Sequence, residues 1–323
     1  MIRYITKRIL MIVPVILCVS LLVYALVDLA PGDIVDTMSS EFMTADDIAE
    51  LRHQYDLDKP LIYRWGKYML RLAQGDLGVS QSTGIKVWDL YKSRFPNTLK
   101  LSLSALVVGT FCAIPFGIFA ARRAGTLLDN IVTVLVALGV CIPAFWMALL
   151  LLQLFSQTLG WFPAGGMNQG LKSMVLPVMC QSLMLMVFAT RQTRSSMLEV
   201  LRADYLRTAR AKGVPEEVVI RKHALRNALI PIITVIGNSL SASLAGSVIV
   251  ETVFSWPGVG RLAVDGVTAR DTDQVLGTII MTSIFYVLIQ IFVDIGYAFA
   301  DPRIKSQYMK PKQRKAVAEA KAI

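Results

Sequence analysis

Six stretches of this chain are long and apolar enough to cross a lipid bilayer, and no other feature limits its fold so severely. A spanning helix needs about 20 mostly apolar residues. Such runs occupy 9–29, 99–121, 131–156, 174–190, 230–253 and 275–300. Only 17% of the residues are charged, against about 25% in a soluble domain, so the runs are not compensated by a polar remainder. Backbone in hydrocarbon must satisfy its own hydrogen bonds, and a run of this length does so as a helix. The expectation is an all-α polytopic membrane protein with six transmembrane helices. The first run follows a basic stretch, Arg3, Lys7 and Arg8. Its apolar core is longer than a signal-peptide h-region and no small-x-small cleavage site follows, so it reads as a retained helix.

Charge sets the orientation. A net charge of +10 suits a nucleic-acid binder, but its placement follows the positive-inside rule. With the N-terminus inside, the inner segments hold 21 Lys and Arg and the short outer segments hold four. The remaining eight lie in 31–95, a segment long enough to translocate regardless of charge. The chain is therefore expected N-in and C-in, with the bilayer and not nucleic acid as its surroundings. It divides into a first transmembrane helix (1–30), an external domain (31–95), a five-helix core (96–300) with a cytoplasmic loop at 191–229, and a basic cytoplasmic tail (301–323).

The external domain carries its own helix signals. Thr44 with Asp47 three residues on makes a capping box for a helix over 45–55. Pro60 opens a second helix with Leu61, Trp65, Met69 and Leu72 on one face, and Gly75-Asp76-Leu77-Gly78 stops it. That face must pack on the chain's own spans or on an external protein.

The sequence offers no chemistry of its own. It has no GxxxxGK[ST] phosphate loop, no HExxH, and no Ser-His-Asp or Cys-His arrangement in a credible context. Cys18, Cys112, Cys141 and Cys180 each sit inside an apolar run without CxxC spacing, and His53 and His223 are far apart. No catalytic residue and no metal site is expected.

Three features carry the functional reading. The first is the cationic loop 204-DYLRTARAKGVPEEVVIRKHALRNALIP-231. Residues up to Lys212 suit a helix, and Gly213 can end it in the left-handed conformation. Val214-Pro215 can open a second short helix, with Glu216 and Glu217 complementing its dipole. Ala209 and Gly213 are small enough for a partner to approach closely. The alternative, an ordinary positive-inside loop, does not explain the length, the central Gly-x-Pro or the helical propensity. The second is the segment after the fifth run. Pro257, Gly258 and Gly260 force turns, flanked by Phe254, Trp256 and Arg261; this is either a plug over an outer opening or an interfacial aromatic anchor. The third is the fifth run itself, where Gly237, Ser241 and Ala245 recur every four residues beside Asn238 and several serines. That pattern permits close helix crossing and equally suits a polar passage, with Thr234, Asn238, Ser241 and Ala245 as the candidate pathway residues. In the sixth run, Asp294 reads as the only acid well inside an apolar stretch. A charge at the bilayer centre costs about 2.5–3.5 kcal/mol on insertion scales, so a helix-locking or snorkelling role is expected. Pro143 and Pro177 are expected to interrupt the third and fourth runs.

The loop resembles the "EAA loop" of ABC importer permeases, whose pattern is Glu-Ala-Ala, three residues, Gly, nine residues, Ile, one residue, Leu-Pro. Aligned on Gly213, Ala209 and Leu225 match; Arg207, Thr208, His223 and Arg226 stand where Glu, Ala, Ile and Pro are usual. This version is similar to that of the peptide and nickel subfamily. So are the start of the chain through Pro31-Gly32-Asp33, Leu57-Asp58-Lys59-Pro60-Leu61, Gly75-Asp76-Leu77-Gly78-Val79-Ser80, Phe254-Ser255-Trp256-Pro257-Gly258-Val259-Gly260-Arg261 and Asp301-Pro302-Arg303-Ile304. The resemblance spans nearly the whole chain, in order. It implies one permease subunit of a binding-protein-dependent importer in the cell inner membrane, paired with a second, similar permease. It also implies two cytoplasmic ATPase subunits that hold the ATP and Mg2+, and an external substrate-binding protein. This chain itself would bind no cofactor. The docking loop would comprise Ala209, Lys212, Gly213, Val214, Pro215, Glu216, Glu217, His223 and Leu225, and the 254–261 turn would be a gate element. Peptides are the first-choice cargo and nickel or another small solute the alternative. A stand-alone secondary transporter would favour broken helices with midplane ion ligands, and no ionisable pair accompanies Pro143 or Pro177.

Overall fold

The computed structural model describes residues 2–38 and 43–300, and among them the only regular elements are helices, joined by turns and loops that include an isolated bridge between Val79 and Lys86. The expected tail at 301–323 lies outside the described residues. In chain order the helices are α1 Ile2–Leu29, α2 Ile34–Met38, α3 Ala45–Gln54, α4 Leu61–Ala73, α5 Val87–Arg122, α6 Leu127–Cys141 and α7 Ala144–Leu151. They continue with α8 Leu171–Leu201, α9 Asp204–Ala211, α10 Glu216–Val218, α11 Leu225–Gly246, α12 Val248–Val253, α13 Val259–Thr268 and α14 Thr272–Ala300.

Four of these helices, α1, α5, α8 and α14, are each long and apolar enough to cross a membrane, and the number rises to six if each of two bent pairs is one crossing. In the first pair the run expected at 131–156 is interrupted at Pro143, as the proline suggests: Leu127–Cys141 and Ala144–Thr158 meet at 102°. Ile142 before Pro143 is extended, with φ −80° and ψ 118°, because the proline ring disfavours helix at the preceding residue. Beyond α7 the chain winds into a π-helical stretch, Leu152–Thr158. Pro177 has the opposite outcome: α8 runs through it without interruption. It is buried among neighbouring helices, where packing and local adjustment re-satisfy a freed carbonyl. The second bent pair, Glu216–Leu229 and Pro231–Leu244, joins the loop segment to the fifth run at 49° beside Pro231.

The centre of the bundle is the crossing of α5 and α8. It is close because small residues line it: a Cβ on Gly109 would lie 2.7 Å from the Leu185 side chain, and one on Gly117 2.5 Å from that of Thr193. At the membrane's cost of leaving voids unfilled, such contacts supply dispersion attraction in place of a hydrophobic drive.

The helices after α1 form as the sequence suggested. Thr44 and Asp47 close a reciprocal capping box on α3. Pro60 is the N-cap of α4. The apolar face of α4 packs inward on the chain itself: Leu61, Trp65, Met69 and Leu72 lie against buried Tyr24 of α1 and Leu276 and Ile280 of α14. Trp65 Nε1 donates to Ser20 Oγ at 3.2 Å, and Arg71 bridges to Asp273 at 3.0 Å.

Candidate functional site

Helix α5 separates two distinct polar sites. Asn97 and Thr98 near its start touch the 251–261 region, and Ala121 and Arg122 at its end touch the 206–232 region. The 24 intervening residues rise about 36 Å, slightly more than the hydrocarbon core of a bilayer. The two motifs singled out by sequence therefore sit at opposite ends of a membrane-thick bundle.

Beside the C-terminal end of α5, α9 closes at Lys212 and the chain reverses at Gly213, whose φ of +77° is left-handed. Its N–H donates to Arg210 O at 2.9 Å, and Val214 N–H to Ala209 O at 3.3 Å. A Cβ on Gly213 would meet nothing within 4 Å, so backbone conformation is the intramolecular constraint that selects glycine there. Pro215 caps α10. Arg210 spans the turn with two 2.9 Å bonds to Glu216, and Glu217 lies 3.4 Å from Arg122 and 3.3 Å from Arg221. The second short helix is not free-standing: it passes through a π-helical stretch, Val219–Ala224, directly into α11. The bracket is two-faced. Leu206, Val219, Ile220, Ala224, Ala228 and Ile232 are buried against Met197 and Ala121, and Ala209, Val214 and Leu225 pack on that cluster. Lys212, Gly213, Pro215, Glu216 and Glu217 are exposed. Ala209 and Leu225 thus seat the bracket on its own bundle, and the outward positions are those around Gly213. His223 is half-buried, with its carbonyl accepting from Asn227 Nδ2 at 3.0 Å.

At the other end, Phe254 and Trp256 are fully buried, at 1% and 0% exposure, in a cluster with Leu101, Ala148 and Val250. Neither ring reaches a lipid interface, which removes the physical basis of an aromatic-anchor role. Trp256 Nε1 donates to Asn97 O at 3.1 Å, and Asn97 Nδ2 donates to Pro257 O at 2.9 Å. The turn is organised by a residue the sequence reading passed over. Glu251 of α12, an acid inside the 230–253 run, is completely buried. Its carboxylate accepts from Thr98 Oγ1 at 2.6 Å, Ser247 Oγ at 3.0 Å, and the N–H groups of Gly260 at 2.7 Å and Arg261 at 3.1 Å. Glu251 accounts for Gly258 and, with Val248, for Gly260: a Cβ on Gly258 would fall 2.3 Å from the Glu251 carboxyl carbon, and one on Gly260 2.7 Å from Val248 Cα and 2.9 Å from Glu251 Oε2. The signal available in the sequence was an acid followed, two turns on, by Gly-x-Gly. Arg261 is half-buried, with Asp265 at 3.8 Å.

Between the two ends, the polar residues of the fifth run do not form a uniform stripe. Ser241 is buried and donates to Gln290 Oε1 of α14 at 2.7 Å. Gln290 Nε2 lies 3.5 Å from Asn238 Oδ1 and 3.4 Å from Asp294 Oδ1. Asp294 in turn pairs with Arg8 of α1 at 3.1 Å, the helix-locking arrangement expected of it. Asn238 is exposed and Thr234 half-buried. Ala245 continues α11, and its side chain lies outside the described residues. Gln181 of α8 donates to the carbonyl of Ser243 at 3.2 Å and contacts its hydroxyl. Sequence reasoning also missed Asp129, which is buried and clamped by Arg194 Nε at 2.6 Å and Nη2 at 2.8 Å. No group of three His, Cys, Asp or Glu residues able to hold a metal lies among the described residues.

A helical bundle with 4 helices, or up to 6, long and apolar enough to cross a membrane defines a multi-pass membrane protein. The family model described as "Binding-protein-dependent transport system inner membrane component" matches residues 113–306, and the model for the N-terminal part of such membrane components matches 1–102. The chain belongs to this family and is a multi-pass inner-membrane protein. Among its relatives, the di/tripeptide transport system permease protein of Pseudomonas aeruginosa is 39% identical over 95% of this chain and 100% of that protein. The oligopeptide transport system permease protein of Bacillus subtilis is 36% identical over 94% and 100%. The glutathione transport system permease protein of Escherichia coli is 38% identical over 94% and 99%. The fold is shared with a membrane subunit of the methionine ABC transporter in an inward-facing conformation, at TM-score 0.54 and 17% identity over 66% of this chain and 96% of that one.

Proposed function

We propose that this chain is one of two permease subunits of an ATP-driven peptide importer. It would cross the membrane six times, N-in and C-in, with 31–95 outside and 191–229 inside. The single observation that carries the reading is the pair of sites at the two ends of α5. A two-faced helical bracket lies at one end and a tightly tethered turn at the other, separated by about one membrane thickness. The bracket is continuous with α11, so a push on the exposed surface around Gly213 is transmitted into a membrane helix without a slack linker. Two cytoplasmic ATPase subunits would seat there and hold ATP and Mg2+. ATP binding favours their closed arrangement and biases the bundle between inward and outward openings, and hydrolysis resets it. An external binding protein would deliver solute at the 254–261 turn, the outer gate of a path that passes Thr234, Asn238, Ser241 and Ala245.

Peptide cargo is supported by the names of three relatives aligned over almost their full length; these do not favour nickel. The test is uptake by a strain lacking this gene. Labelled di- and tripeptide uptake should fall to background and return with the wild-type copy, with nickel uptake unchanged. Normal peptide uptake with lost nickel uptake would reverse the assignment.

A further inference from the structure

We infer that Glu251 is the positioning residue that fixes the outer turn to α5 and α12, so that the turn moves with those helices as one body and not as a separate flap. An ionised carboxylate has about four lone-pair sites and no donor. Here four donors fill them: two hydroxyls, from α5 and from the residue before α12, and two backbone N–H groups from the first turn of α13. Thr98 Oγ1 also accepts from Val259 N–H at 2.9 Å, so α5 grips the turn both through Glu251 and directly. Asn97 adds two more bonds on the other side, to the Pro257 carbonyl and from the Trp256 indole. The absence of Cβ atoms at Gly258 and Gly260 is what admits the carboxylate. Charge-assisted bonds of this kind are about twice as strong as neutral ones, and in a dry interior a half-broken network is worse than an intact or absent one. A flap would have to break every one of these bonds in each cycle. The bundle can instead carry the turn aside intact when α5 and α12 rock. This deepens the gate reading above and rests on it for its place in the transport cycle.

The experiment uses the assembled transporter in vesicles, with the native cysteines replaced and spin labels at Lys92 of α5 and Val267 of α13, both exposed. In wild type the label-to-label distance should be a single value, identical with and without trapped ATP. Glu251→Ala should broaden it and raise hydrolysis in the absence of binding protein by about tenfold, the effect of removing a charged hydrogen-bond hub. Glu251→Gln, which keeps the shape and one accepting oxygen for the Gly260 and Arg261 N–H groups but loses the charge, should fall between wild type and Glu251→Ala. Thr98→Val, which keeps the carboxylate but removes the α5 hydroxyl, should broaden the distance by itself and carries the test if Glu251→Ala does not assemble. A wild-type distance that changes between nucleotide states overturns the inference, as does a Glu251→Ala or Thr98→Val distribution indistinguishable from wild type. Should the transport reading itself fail, wild-type hydrolysis would not respond to binding protein at all; should only this inference fail, that response is normal and the distances disagree.

Discussion

Gly213 separates two explanations of the coupling bracket that make opposite demands on its replacement. The residue is at φ +77° with open space where a side chain would go. If the turn requires glycine for its backbone, an L-residue held in the left-handed region costs about 1–2 kcal/mol, most for a β-branched one. That is a factor of about 5–30 in the equilibrium between the native turn and a relaxed one. Because the turn is bridged by Arg210 and Glu216 and runs on into α11, the cost falls on the geometry of the exposed surface around Gly213, the proposed ATPase seat, and not on membrane insertion. Gly213→Val should therefore insert and assemble normally but lose most of the binding-protein-stimulated ATP hydrolysis in reconstituted vesicles. Gly213→Asn is the discriminating variant, since asparagine tolerates the left-handed conformation. It should retain a substantial part of the stimulation. If Asn is as damaging as Val, the glycine is there for close approach of a partner surface and the backbone explanation is wrong.

Topology can be checked with single cysteines in a cysteine-free background: Lys86→Cys should react with an impermeant maleimide in intact cells and Lys212→Cys only after permeabilisation, and the reverse pattern would invert the orientation. The Arg8–Asp294 pair, 37% and 12% exposed at its side chains, should show a coupling energy of about 1 kcal/mol in a double-mutant cycle of Arg8→Gln and Asp294→Asn, read by thermal unfolding in detergent; zero coupling would make the pair incidental. Two glycines should respond oppositely to alanine. Gly66 lies within α4 with nothing within 4 Å of an added Cβ, so Gly66→Ala should stabilise by about 0.5–1 kcal/mol. Gly258→Ala forces a methyl group into the Glu251 carboxylate and should destabilise by about 1–3 kcal/mol. Equal effects in the melting temperature would refute the packing account of the outer turn.

What could be read from the sequence was whatever rests on local chemistry. The Thr44 capping box, the Gly213 reversal with Pro215 after it, and the apolar face of α4 are each set by residues within a turn or two of one another, and each is found. The proline readings split because the consequence of a proline depends on its neighbours in space. Pro143 breaks α6 from α7 while Pro177 rides inside α8 among packed helices. Glu251 was missed for the same reason. Its four donors come from Thr98, Ser247, Gly260 and Arg261, and the Thr98 partner is 153 residues away in sequence. Periodicity does not report such a pairing. The inward packing of Ala209 and Leu225 was likewise hidden, since which face of α9 meets the bundle is fixed by Met197 and Ala121 on other helices.

The proposed function requires a cytoplasmic ATPase subunit to act on this chain through the surface around Gly213. A cysteine at Lys212, exposed and at the tip of the bracket, should form a bifunctional-maleimide adduct with an ATPase subunit in the assembled complex, with a yield that changes when ATP is trapped. A cysteine at Lys86 should form none. An adduct from Lys86 and none from Lys212, in a complex that still contains its ATPases, would contradict the account.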